Sequence, residues 1–101
     1  MKILTSNLMP PALDWAVCVC EKTQMGAYTR YSTEWAHGGP IIEREGICLS
    51  FNPEDDAPEW SAEDRSHAIF VQGPTPLIAA MRCYVASKLD EKIEIPKELQ
   101  P

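Results

Sequence analysis

Residues 73–89, Gly-Pro-Thr-Pro-Leu-Ile-Ala-Ala-Met-Arg-Cys-Tyr-Val-Ala-Ser-Lys-Leu, constrain the fold more than any other stretch of this chain. They spell a turn, a firm helix start and a helix with almost no polar side. Thr75 can cap with its hydroxyl, and Pro76 at the first helical position gives up only an N–H that has no intrahelical partner anyway. Pro74 holds the approach extended and Gly73 permits the turn before it. At 3.6 residues per turn, Leu77, Ile78, Met81, Tyr84, Val85 and Leu89 share one wide face. The opposite arc carries Ala79, Ala80, Cys83, Ala86 and Ser87, all of them small. A solvated arc carries Lys, Glu and Gln, so this one is expected to lie close against something, either another helix or a second copy of the chain. On that ground the five residues form a candidate homo-oligomer interface. Arg82 and Lys88 are the only charges, placed where long stems can reach past apolar surface.

The remainder reads as a short first strand at 2–5, a helix from Ala12 to Glu21 behind Pro10-Pro11, and a polar loop over 22–30. Tyr31–Pro40 is dense in turn formers, and Ser32 or Thr33 can cap a single turn there. Pro40 and Gly46 frame one or two helical turns. Ile47–Phe51 alternates bulky and small residues as a strand does. Trp60–Ser66 reads two ways, as a capped turn or as a strand that bulges. His67–Val71 is a strand leading into the Gly73 turn, Ile93–Ile95 adds a last short one, and 96–101 is a frayed tail. This order predicts an α+β fold in one domain spanning 1–101: a small antiparallel sheet of three to four strands with two main helices packed on one face.

A chain of 101 residues can bury roughly two-thirds of its unfolded surface, enough for a core without staples. No segment reaches the ~20 apolar residues of a membrane helix, and Asp14 interrupts the best early apolar run, so neither a membrane span nor a signal peptide is expected. Cys18, Cys20, Cys48 and Cys83 lack paired zinc spacings. They read as reduced thiols of a cytoplasmic protein, with no metal and no cofactor. The formal charge of −6 is concentrated. From Glu43 to Asp64 there are eight acids against Arg44 alone, a local net of −7. No basic stripe with interleaved aromatics appears, which argues against direct binding to a nucleic-acid backbone.

Three sets of residues stand out as candidate sites. Tyr31, Trp35, His37, Gly38 and Gly39 could form a ligand-contacting loop, since two glycines let backbone approach a small molecule or nucleotide and the following helix start offers N–H groups to an anion. The alternative is a tight turn that packs Trp35 on the core. Asp55, Asp56, Glu59, Glu63 and Asp64, within an acidic loop at 52–66, could meet a basic protein partner or inhibit a host DNA-binding enzyme, or simply be solvated. The calcium-loop pattern is absent. His37 and His67 lie near acids, but no Ser-His-Asp or Cys-His order suggests catalysis, and Cys48 and Cys83 fall at apolar positions that favour inert thiols.

Three blocks resemble the phage NinX family of lambda-like bacteriophages and prophages. They are Leu13-Asp14-Trp15-Ala16-Val17, then Ser32-Thr33-Glu34-Trp35 with Gly38–Ile47, then Gly73–Lys88. The resemblance covers about half the chain. It implies a phage or prophage origin and expression in a bacterial cytoplasm, and it implies no particular activity or catalytic residue. With no catalytic constellation, the sequence is read as a non-catalytic accessory protein that binds another protein, host or phage.

Overall fold

The computed structural model describes residues 2–22, 29–53 and 59–99. Its fold is α+β. In chain order come β1 (Lys2–Leu4), a 3-10 turn (Thr5–Asn7), α1 (Ala12–Glu21), α2 (Trp35–Glu45), β2 (Cys48–Asn52), β3 (Glu59–Glu63), β4 (Phe70–Gly73), α3 (Pro76–Lys88), β5 (Lys92–Glu94) and a closing 3-10 turn (Lys97–Leu99). Strands β2, β3 and β4 form an antiparallel sheet in that order. β1 and β5 pair separately, with Lys2 opposite Glu94 and Leu4 opposite Lys92.

α3 is the centre of the fold. It packs on all three strands of the larger sheet, and α1 and α2 pack against it as well. That arrangement explains its composition. Thr75 caps it, accepting from the Ile78 N–H at 3.1 Å, and Pro76 opens it. Ala79, Ala80, Met81, Cys83 and Val85 are all fully buried. The small residues let the helix lie close on the sheet: a Cβ added at Gly73 on β4 would stand 2.8 Å from the Ala79 nitrogen.

The small arc of α3 is thus covered by the chain's own sheet, and a second copy is not needed to bury Ala79, Ala80 or Cys83. Ala86 is half-buried and Ser87 is exposed, so only the last turn of that arc nears the surface. Burial pushes the Cys83 thiol up to about 12, which fits an inert sulfur.

Four differences from the sequence reading have local causes. First, α2 runs unbroken through Gly38-Gly39-Pro40, where a turn was expected. Gly38 is where α2 meets α3, because a Cβ there would sit 2.5 Å from Leu77 Cδ1 and 2.4 Å from the Tyr31 carbonyl oxygen. Pro40 deprives the carbonyl of Ala36 of its helical donor, but Ala36 is exposed and water can take that place. Second, the acidic loop expected at 52–66 is interrupted by a strand at residues 59–63, paired with both β2 and β4; of the two readings of Trp60–Ser66, the strand is the one found. Third, β4 begins at Phe70. The preceding residues turn instead, with Asp64 accepting from the Ile69 N–H at 2.9 Å and from Ser66 Oγ at 2.6 Å. Fourth, Leu99 in the expected tail packs against the core.

Candidate functional site

The three sets of residues singled out in the sequence fare differently. Trp35, His37, Gly38 and Gly39 lie on the first turns of α2 and make no loop. Tyr31 is buried and meets the His37 ring edge-on at 6.4 Å. His37 points outward beside Glu34, 3.5 Å away. Gly38 is packed shut and cannot offer its backbone to a ligand. A shallow cleft of about 240 Å³ does touch Trp35, which is 54% exposed, but its other walls are Ser32, Thr33 and the start of α3. The turn ahead of α2 is held from within: Asp14 of α1, buried, accepts from the Ser32 N–H at 2.8 Å and from its hydroxyl at 2.6 Å.

Of the acidic set, Asp55 and Asp56 lie outside the described residues. Asp64 is spent on its own turn, and its hydrogen bonds from Ser66 and Ile69 hold its carboxyl below the usual carboxylate range. Glu59 and Glu63 are different. The pleat puts both on the sheet face turned away from α3, because alternate residues of a strand point to opposite sides. The pairing places Ser50 and Gln72 on either side of Ser61, and Cys48 and Phe70 on either side of Glu63.

Among the described residues no helix packs on that outer face, and Phe70 is 62% exposed on it. Glu63 binds His67 at 2.9 Å, and the Asn52 amide donates to Ser61 at 2.7 Å. Cys48, taken as buried from its pattern, is exposed there. At the hairpin end of the sheet, Phe51 and Trp60 stack with ring centroids 5.0 Å apart, and Phe51 stays half-exposed.

Two clusters were not foreseen. Where α1, α2 and α3 converge, Arg44 grips Glu21 with both terminal nitrogens, at 2.6 and 3.1 Å, and reaches Glu45 with Nε at 2.9 Å. The Tyr84 hydroxyl donates to the same Glu21 carboxylate, and Lys88 meets Glu45 at 3.3 Å. The Arg44 guanidinium beside them holds the Glu21 and Glu45 carboxyls below their ordinary range, and burial pushes the Tyr84 phenol up. Arg65 donates to the last carbonyls of α2, Arg44 O at 2.8 Å and Glu45 O at 3.1 Å, a C-terminal cap for that helix. This cluster ties three helix ends together, and a cleft of about 440 Å³ opens beside it between Glu45, Arg65, Tyr84 and Lys88.

The second lies along the free edge of β4. A cleft of about 480 Å³ runs between that edge and Ser6 and Asn7, with Glu59, Phe70, Pro74 and Arg82 among its walls. Arg82 crosses from α3 to reach it, donating to Leu8 O at 2.8 Å, Gln72 O at 2.7 Å and Met9 Sδ at 3.0 Å. Among the described residues, no His, Cys, Asp or Glu side chains gather in threes as metal ligands do.

The sequence profile of Bacteriophage P22, NinX matches residues 23–88. The chain belongs to the NinX family. No curated protein matches it. The NinX match runs through α2, the β2–β3–β4 sheet and all of α3, so the outer sheet face and the β4 edge both fall within the family's part of the chain. β1, α1 and β5 lie outside it. No helix of this NinX chain, among the described residues, is long and apolar enough to cross a membrane.

Proposed function

We propose that this chain is a phage accessory protein that works in the bacterial cytoplasm without catalysis, by binding another protein through the outer face of its β2–β3–β4 sheet. The observation that carries this reading is the Phe70 ring, 62% exposed beside Glu63 on a sheet face that no helix covers among the described residues. An apolar anchor with a charged rim is how protein interfaces concentrate their binding energy. The rim is acidic, which matches a basic partner and speeds encounter with it.

The reading as an inhibitor of a DNA-binding enzyme draws on the same face, where Glu59 and Glu63 are the acids displayed among the described residues. The small-molecule reading loses the glycine loop on which it depended.

Affinity capture from infected-cell lysate tests the proposal. The intact chain is compared with a Glu63→Lys, Phe70→Ser double variant and with Asp55→Lys, Asp56→Lys. A basic protein retained by the intact chain, released by raised salt and lost with the first variant is expected. Identical capture by both chains refutes the assignment to the sheet face.

A further inference from the structure

The β4 edge is built for a particular kind of occupant. Gln72 O is turned outward to Arg82, and Ile69 O is turned inward to the Asp64 N–H at 3.1 Å. Backbone groups alternate in direction along a strand. The N–H and C=O of Phe70 and the N–H of Gln72 therefore also point outward, into the cleft, and none of the three has a protein partner among the described residues. Such an edge is a template for one more strand.

Arg82 decides where that strand stops. Its guanidinium occupies Gln72 O, the acceptor that an incoming parallel strand needs two residues after the one that accepts from the Gln72 N–H. A strand lying parallel to β4 can pair with both outward groups of Phe70 and accept from the Gln72 N–H, and there its ladder with β4 stops. A guanidinium has five N–H donors, and the three bonds to Leu8, Gln72 and Met9 leave two. Among the described residues no carboxylate lies within ion-pair distance of Arg82, and the Glu59 charge acts on it from further away. Two N–H groups on one planar fork suit a carboxylate. Glu59 lines the same end of the cleft on the outer face, beyond ion-pair reach of Arg82.

We propose that the β4 edge captures the C-terminal segment of a partner protein as a fourth, parallel strand, with its terminal carboxylate on Arg82 and the Gln72 N–H. This rests on the reading of the chain as a protein-binding module and names the segment it takes.

The test is titration of the full ¹⁵N-labelled chain with a synthetic pentapeptide of alternating valine and threonine that has a free terminal carboxylate. Saturable shifts centred on the Phe70 and Gln72 amides are expected. Amidation of the peptide terminus is expected to weaken binding at least ten-fold. Arg82→Lys keeps the charge but loses the fork, and should cut affinity roughly ten-fold with the amide spectrum otherwise intact.

Equal binding of acid and amide peptides, shifts confined to other elements, or no saturable shift at millimolar peptide overturns the proposal. A protein captured in a Glu63-dependent way while every peptide fails overturns the edge assignment alone and leaves the sheet-face reading standing.

Discussion

Gly38→Ala and Gly39→Ala, adjacent on one helix, should change stability in opposite directions. Alanine is favoured over glycine inside a helix by about 1 kcal/mol, and both positions lie inside α2. At Gly39 nothing opposes that gain, since the nearest atom to an added Cβ is Trp35 Cε3 at 3.9 Å. At Gly38 the Cβ would lie 2.4 Å from the Tyr31 carbonyl oxygen, well under the 3.0 Å that real Cβ contacts respect. Leu77 can rotate away, but a backbone carbonyl cannot. Overpacking of this sort costs about 1–3 kcal/mol, and a backbone obstacle puts it at the upper end. The net for Gly38→Ala is a loss of about 2 kcal/mol. For a domain of this size that lowers Tm by about 8–16 °C, while Gly39→Ala raises it by about 4–8 °C. Differential scanning calorimetry of the two single variants measures both. If Gly38→Ala stabilises, α2 does not dock on α3 as described. If both variants lose stability together, residues 38–39 are not helical and the sequence reading of a loop returns.

Three further outcomes are expected. Asp14→Ala strands the Ser32 N–H and hydroxyl in a buried site, and should lower unfolding free energy by about 3 kcal/mol in urea titration, with Asp14→Asn losing less. Thr75→Ala removes the side-chain acceptor at the start of α3 and should cost about 1 kcal/mol by the same assay. The Glu21 and Glu45 carboxyls titrate below their ordinary 4.5 in the folded chain. Their stabilisation is therefore complete above about pH 4.5 and is lost as pH falls through the lower folded values. Glu21→Gln should lower the urea midpoint at pH 7 and flatten its fall between pH 4.5 and 3, whereas parallel curves for the two proteins would contradict the Arg44 clamp.

Sequence reasoning found α3 because its signals are local and agree with one another. A capping hydroxyl, a proline where an N–H is surplus and apolar residues on every side leave one solution. The same reasoning stopped α2 short, because Gly38, Gly39 and Pro40 are locally helix breakers. Gly38 is dictated by Tyr31 and Leu77, which no spacing rule connects to it. The small arc of α3 was rightly read as covered. What covers it could not be read, since a sheet and a second protomer ask for the same small residues. Glu59 and Glu63 were visible as charges, but only the strand pairing shows that they share a face with Phe70. Arg82 looked like a snorkelling stem. Its task at Gln72 depends on β4 being an edge strand, a matter of strand order that residues 70–73 do not encode by themselves.

The pairing of Lys2–Leu4 with Lys92–Glu94 means that polypeptide entering the fold and polypeptide leaving it do so side by side. During synthesis β1 leaves the ribosome long before β5, so its hydrogen-bonding groups lack this mate while the residues between the two strands assemble. Joining the two ends with a short linker and opening the chain elsewhere would convert that latest contact into one of the earliest.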